Sequence, residues 1–97
     1  MTEFRCLLAG ARFRPAEAQA IVLELEPDTE LTLVREPENP YDPNAIQVHS
    51  DEHFIGFVAK QVAEDLAPLM DAGESFTCRT AGHQAPLMPY LVIESAA

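Results

Sequence analysis

Leu33-Val34-Arg35-Glu36-Pro37-Glu38-Asn39-Pro40-Tyr41-Asp42-Pro43-Asn44-Ala45-Ile46-Gln47-Val48 is the stretch from which the rest of the chain is read. Its first residues end an alternating run, Glu30 to Arg35. That run sets Leu31, Leu33 and Arg35 on one side of a strand and Thr32 and Val34 on the other. From Asn39 to Asn44 the chain is a dense turn. Pro40 and Pro43 fix backbone angles, and the Asn and Asp side chains can bond nearby backbone N–H groups. Ala45 to His49 then reads as a second strand, with Ile46 and Val48 on one face.

Outward from this unit the pattern stays short-stranded. Ser50-Asp51-Glu52 makes a hairpin turn, and His53 to Ala59 returns as a strand. Gly56, between Ile55 and Phe57, predicts a bulge or a close approach of two backbones. Phe4 to Ala9 opens the chain as a strand, and Arg12-Phe13-Arg14-Pro15 breaks it. Glu74 to Thr80 and Met88 to Glu94 are closing strands, with Gly82 to Pro86 expected as the loop between them. Two helices are predicted. Ala18, Ile21, Val22 and Leu25 form the apolar stripe of Glu17–Leu25, with Pro15 suited to its first turn. Val62, Ala63, Leu66, Leu69 and Met70 form that of Lys60–Ala72, which Gly73 caps and Pro68 is expected to kink or break. Six or so short strands with two short helices suggest a mainly β fold, a small closed or nearly closed barrel.

The bulk properties bound the function. At 97 residues and 47% hydrophobic, the chain fits one domain spanning 1–97 with a modest core. No stretch approaches the ~20 apolar residues of a membrane helix, and the N-terminus is not that of a signal peptide. Cys6 and Cys78 form no metal-type pair or disulfide framework; they read as reduced core cysteines of a cytoplasmic protein, with a strand-to-strand disulfide as the alternative. Sixteen acidic and six basic residues give a formal charge of −10, which opposes any polyanionic partner at long range. A broad basic stripe for duplex DNA is missing, so nucleic-acid binding must be local, resting on a few cations and on stacking.

The quoted stretch closely resembles the signature of the HIRAN domain family, which runs roughly L-x-R-E-P-x-N-P-x-D-x-N-A-I-x-V. The family pattern continues with an I-G-hydrophobic-hydrophobic turn into a helix, here Phe54-Ile55-Gly56-Phe57-Val58-Ala59-Lys60 and then Gln61 to Ala72. Order and spacing of both blocks agree over roughly residues 4 to 94. The resemblance implies an OB-like β-barrel with short helices that captures the 3′ end of single-stranded DNA. In the family this module is best known at the N-terminus of DNA translocases that remodel stalled replication forks. It also occurs alone in bacteria and phages, and the chain reads as such a copy.

The resemblance also implies a site. Asp42 matches the carboxylate that accepts the terminal 3′-hydroxyl, and Tyr41 the tyrosine that stacks the last base. Asn39 holds the turn or donates to the nucleotide. Lys60 matches a basic position that pairs with phosphate, assisted by the free N–H groups at its helix start. Arg12 and Phe13 match an arginine–aromatic pair, with Phe13 replacing a tyrosine. Phe57 stands where DNA-binding members carry histidine, so one hydrogen-bond donor is missing. Arg35 is expected to pair with Glu36 or Asp42 and brace the turn, with phosphate contact second.

A plain structural reading stands beside this: Asn39 and Asp42 cap the turn and Tyr41 merely covers the barrel. His49, Asp51, Glu52 and His53 crowd a hairpin rather than a helix face, so no metal is expected there, and His83 reads as a loop residue. No nucleophile–base arrangement has a supporting context, and no cofactor is called for. The chain is therefore read as a non-enzymatic binding module. If Arg12, Arg35 and Lys60 share a face, single-stranded DNA is favoured. If they scatter, the alternative gains: an acidic module that contacts a basic protein in DNA metabolism or phage–host biology.

Overall fold

The computed structural model describes residues 2–96. Six strands, β1 (Glu3–Ala9), β2 (Glu30–Arg35), β3 (Ile46–Ser50), β4 (His53–Val58), β5 (Phe76–Ala85) and β6 (Met88–Ser95), close into a barrel in the order β1-β4-β3-β2-β5-β6. Every pairing is antiparallel. Helices α1 (Ala16–Glu24) and α2 (Lys60–Asp71) join them, with a short 3-10 turn at Ala11–Phe13 between β1 and α1. The expected barrel of about six strands with two short helices is borne out.

Alternation explains the core. Leu8, Leu31, Ile46, Val48, Ile55, Leu91 and Ile93 point inward from their strands and are buried. Ala18 and Val22 of α1, which packs on β4, join them, as do Ala63, Leu66 and Ala67 of α2. The buried hydroxyl of Thr80 donates to the Glu26 carbonyl and accepts the Thr29 N–H, so the turn after α1 satisfies it. None of the described helices is long and apolar enough to cross a membrane.

Three expectations are corrected. Gly82 to Pro86 is not a loop: β5 runs through it to Ala85, with register shifts between Thr80 and His83 and again before Ala85. His83 therefore lies in a strand, where its Nε2 sits 2.9 Å from the Val22 carbonyl and ties the hairpin to α1. Pro68 does not break α2, which continues to Asp71. The carbonyl left without an N–H partner is that of Glu64, an exposed residue whose oxygen water can serve. Pro15 is the N-cap of α1 and not a residue of its first turn.

Cys6 and Cys78 are both free. They oppose Leu91 and Ile93, two residues apart on the two sides of β6, so two strand spacings of ~9–10 Å in all are compounded by the stagger along the strand. A disulfide needs Cα atoms within roughly 7 Å, so the alternative of a bridge fails. Burial, and next the neighbouring Cys6, pushes the Cys78 thiol up to about 12. Cys78 is expected to be silent to a disulfide-exchange reagent in the native protein and to react only in denaturant. Rapid native labelling of Cys78 would contradict this packing.

Candidate nucleic-acid interface

The turn between β2 and β3 is held by its own side chains. Asn39 Oδ1 accepts the N–H groups of Tyr41 (2.8 Å) and Asp42 (2.9 Å), and Asp42 Oδ1 accepts that of Asn44 at 2.9 Å. Asn39 thus takes the turn-holding half of its expected role. Asp42 Oδ2 makes no hydrogen bond among the described residues, so one carboxylate oxygen remains open to an incoming donor. Tyr41 is 94% exposed and covers nothing.

A line of side-chain hydrogen bonds leads from this turn into the sheet. The Glu36 carboxylate accepts from Asn39 Nδ2 and from Gln47 Nε2. Gln47 Oε1 in turn faces His49 Nε2 at 2.7 Å. Because the Gln47 amide already donates to Glu36, His49 is the donor in that pair.

Gln47 stands directly opposite Phe57, and Phe57 opposite Ala9. One outward row therefore crosses four strands, Val34–Gln47–Phe57–Ala9, about 14 Å from end to end. The expected bulge lies beside it: the β3–β4 register shifts between Val48 and His49, so that Phe54 faces His49 while Gly56 faces Val48. Phe54 and Phe57 consequently share the outer side, edge to face with ring centres 5.1 Å apart. Beyond Ala9, Gly10 takes a left-handed φ of 74° that turns the chain over Phe57 into the 3-10 turn. Arg12 stacks there on Phe13 at 4.7 Å, and Phe13 is 76% exposed. Gln19 of α1 fixes this turn by donating to the Arg12 and Arg14 carbonyls, each at 2.9 Å.

Charge sorts the basic residues. Arg5 pairs with Glu3, Arg79 with Asp28 and Glu94, and Arg35 with Asp71. Among the described residues Arg12, Arg14 and Lys60 make no ion pair. All three lie near Phe57: Arg12 past Gly10, Lys60 at the start of α2, and Arg14 stacked 3.8 Å over Phe54. The N-cap of α2, Ala59, supplies no side-chain bond; the N–H groups of Val62 and Ala63 donate to its carbonyl, and those of Lys60 and Gln61 have no partner among the described residues.

The expected partner of Arg35 is corrected. Its guanidinium bonds Asp71 at the end of α2, at 2.8 and 3.0 Å, and the carbonyls of Ala45 (2.7 Å) and Pro43 (3.0 Å). It braces the turn through backbone oxygens rather than through Glu36 or Asp42, and it stands apart from Arg12 and Lys60. The bond to Arg35 holds the Asp71 carboxyl below its ordinary value. Its stabilising effect is thus complete above the usual carboxylate range and fades as pH falls through the lowered value. Arg35→Ala is expected to lower Tm by about 4–8 °C at neutral pH, and Arg35→Lys to recover little, because one ammonium nitrogen cannot span the four oxygens that the guanidinium reaches. An unchanged melting curve would show that these bonds contribute nothing.

Arg14 and the paired Phe54 and Phe57 were not assembled from the sequence, although the Arg-Phe-Arg triplet at 12–14 was the available signal. A cleft of about 550 Å³ beside Phe13, lined by the 3-10 turn and by Pro86, Leu87 and Met88 at the tip of the β5–β6 hairpin, was also missed. His53 lies 3.9 Å from Glu17, and His49 stacks on Phe54 with ring centres 5.6 Å apart.

Comparison with known proteins agrees with this architecture. Half of the chain (50%) aligns with the Fanconi-associated nuclease 1 homolog of Oryza sativa subsp. japonica at 38% identity over 53 aligned positions, which span 6% of that protein. The fold matches a protein of Lactobacillus plantarum with a TM-score of 0.82 at 23% identity, over 97% of both chains. It also matches the HIRAN domain of human HLTF in a crystal structure, with a TM-score of 0.78 at 23% identity over 96% of this chain and 74% of that one. For the HLTF HIRAN domain in its DNA-bound conformation the TM-score is 0.67 at 25% identity, over 96% and 73% of the two chains. The family model of the HIRAN domain matches residues 1–94, and the chain belongs to that family.

Proposed function

We propose that this HIRAN domain is a binding module that captures the free 3′ end of single-stranded DNA. The open Oδ2 of Asp42 accepts the terminal hydroxyl, Tyr41 and Phe13 stack the last base, and Lys60 with the α2 N-terminus takes a phosphate. Arg12 supplies a second charge beside Phe13, whose adjoining cleft is roomy enough for a base. The observation that carries the reading is Tyr41. A side chain that merely covered the barrel would be buried, yet this ring stands 94% exposed on a turn whose backbone is held by Asn39 and Asp42. A solvent-facing aromatic carried on a fixed turn beside an open carboxylate suits a base next to a hydroxyl. The DNA-bound conformation described for the HLTF domain supports the same class of ligand.

The alternative, an acidic protein-interaction module, draws on the net charge of −10 and on Arg35, which stands apart from Arg12 and Lys60 at the other end of α2. Fluorescence anisotropy with short labelled oligonucleotides at two salt concentrations separates the two. Binding is expected to be weak and to have a shallow salt dependence, about −0.7 in log–log slope per phosphate neutralised. Lys60→Ala is expected to flatten the slope by less than one unit. No binding at low salt would favour the protein-interaction reading.

A further inference from the structure

We propose that Arg14 is a second phosphate seat, which holds the strand upstream of its captured end. This rests on the end-capture reading and extends it to a longer stretch of single strand. The guanidinium of Arg14 is fixed on two sides: Nε donates to the Phe54 carbonyl at 3.1 Å, and the plane lies 3.8 Å over the Phe54 ring. That ring is itself immobilised, stacked on His49 and edge-on to Phe57. The two terminal nitrogens of Arg14 have no partner among the described residues. Glu17, three residues on in α1, approaches His53 instead. In a chain with sixteen carboxylates, Arg5, Arg35 and Arg79 each have an acidic partner. A preorganised guanidinium fork left without one presents the geometry that phosphate oxygens take.

Position gives the seat its role. Phe54 and Lys60 lie at the two ends of β4 and its exit into α2, at most ~20 Å apart, with the half-exposed Phe57 between them. A strand whose end lies at Tyr41 and Asp42 passes Lys60 and Phe57 and reaches Arg14 with a phosphate further toward its 5′ side.

Competition titrations with unlabelled oligothymidylates of two, four and six nucleotides, all with free 3′-hydroxyls, test this on the full chain. Wild-type affinity is expected to rise from two to six nucleotides. Arg14→Gln is expected to lose about tenfold for the six-nucleotide strand, to leave the dinucleotide unchanged, and to reduce the salt slope by about 0.7. Arg14→Lys keeps the charge and loses the fork, so it is expected to recover part of the loss; both variants are checked for native melting. Equal titrations of wild type and Arg14→Gln at every length would reduce Arg14 to a clamp on Phe54 and overturn the proposal while end capture stood. Equal losses at two and six nucleotides would place Arg14 at the terminal nucleotide and overturn it too. No binding by the wild type would defeat end capture itself, and this inference with it.

Discussion

Gly56→Val is expected to cost about 3 kcal/mol and to lower Tm by about 12 °C or more. A Cβ at Gly56 would lie 2.8 Å from the Ala9 carbonyl oxygen and 2.9 and 3.0 Å from Leu8 Cδ1 and Cγ. The first of these is backbone, so it cannot swing aside as a side-chain tip can. Its strand is anchored at this point, because Leu8 and Ala9 pair with Val58 and Phe57 of β4. Valine adds two methyl groups beyond that Cβ, and its branch narrows the rotamers by which it might escape. The β1–β4 seam would have to open, and with it the base of the 3-10 turn that carries Arg12 and Phe13. Gly56→Ala is expected to lie between wild type and valine. Thermal unfolding followed by circular dichroism reads the series, and an unchanged Tm for valine would show that the seam is looser than these distances.

The second large effect concerns binding. Tyr41→Ala is expected to weaken single-stranded DNA binding about 10- to 100-fold, the loss of one base–aromatic stack. With the ring 94% exposed, removing it is expected to leave Tm within experimental error. A change in affinity without a change in stability separates a ligand contact from a packing role. Asp42→Asn keeps an oxygen for the Asn44 N–H and removes the negative charge. It is expected to abolish the preference for a 3′-hydroxyl over a 3′-phosphate, since an amide no longer repels the phosphate and accepts the hydroxyl more weakly. A Tyr41→Ala variant that binds as wild type would assign the ring no part in recognition.

Local chemistry explains which features the sequence disclosed. The Asn39–Asn44 turn was legible because Pro, Asn and Asp act on their own neighbourhood, and the strand faces because alternation is local. Gly56 was legible for the same reason: a glycine amid β-branched and aromatic residues marks a site where a side chain does not fit. What escaped was set by distant partners. Arg35 lies next to Glu36 in sequence, yet it pairs with Asp71, brought to it by the closing of the barrel. Gly82 to Ala85 has the composition of a loop, but the bulges of β5 absorb Gly82, and His83 is bonded to α1. Arg14 looked like part of a chain break. Its setting depends on Phe54 forty residues on, which faces outward beside Phe57 only because of the bulge.

The most direct test of end capture compares two versions of one short oligonucleotide, with a free 3′-hydroxyl and with a 3′-phosphate, titrated against the wild-type protein at low salt. On the proposed reading Asp42 Oδ2 accepts a hydrogen bond from the hydroxyl and repels the phosphate, so the free end is expected to bind about tenfold more tightly or better. Equal affinity for the two ends would contradict the assignment of Asp42 and, with it, the claim that this domain reads a strand terminus.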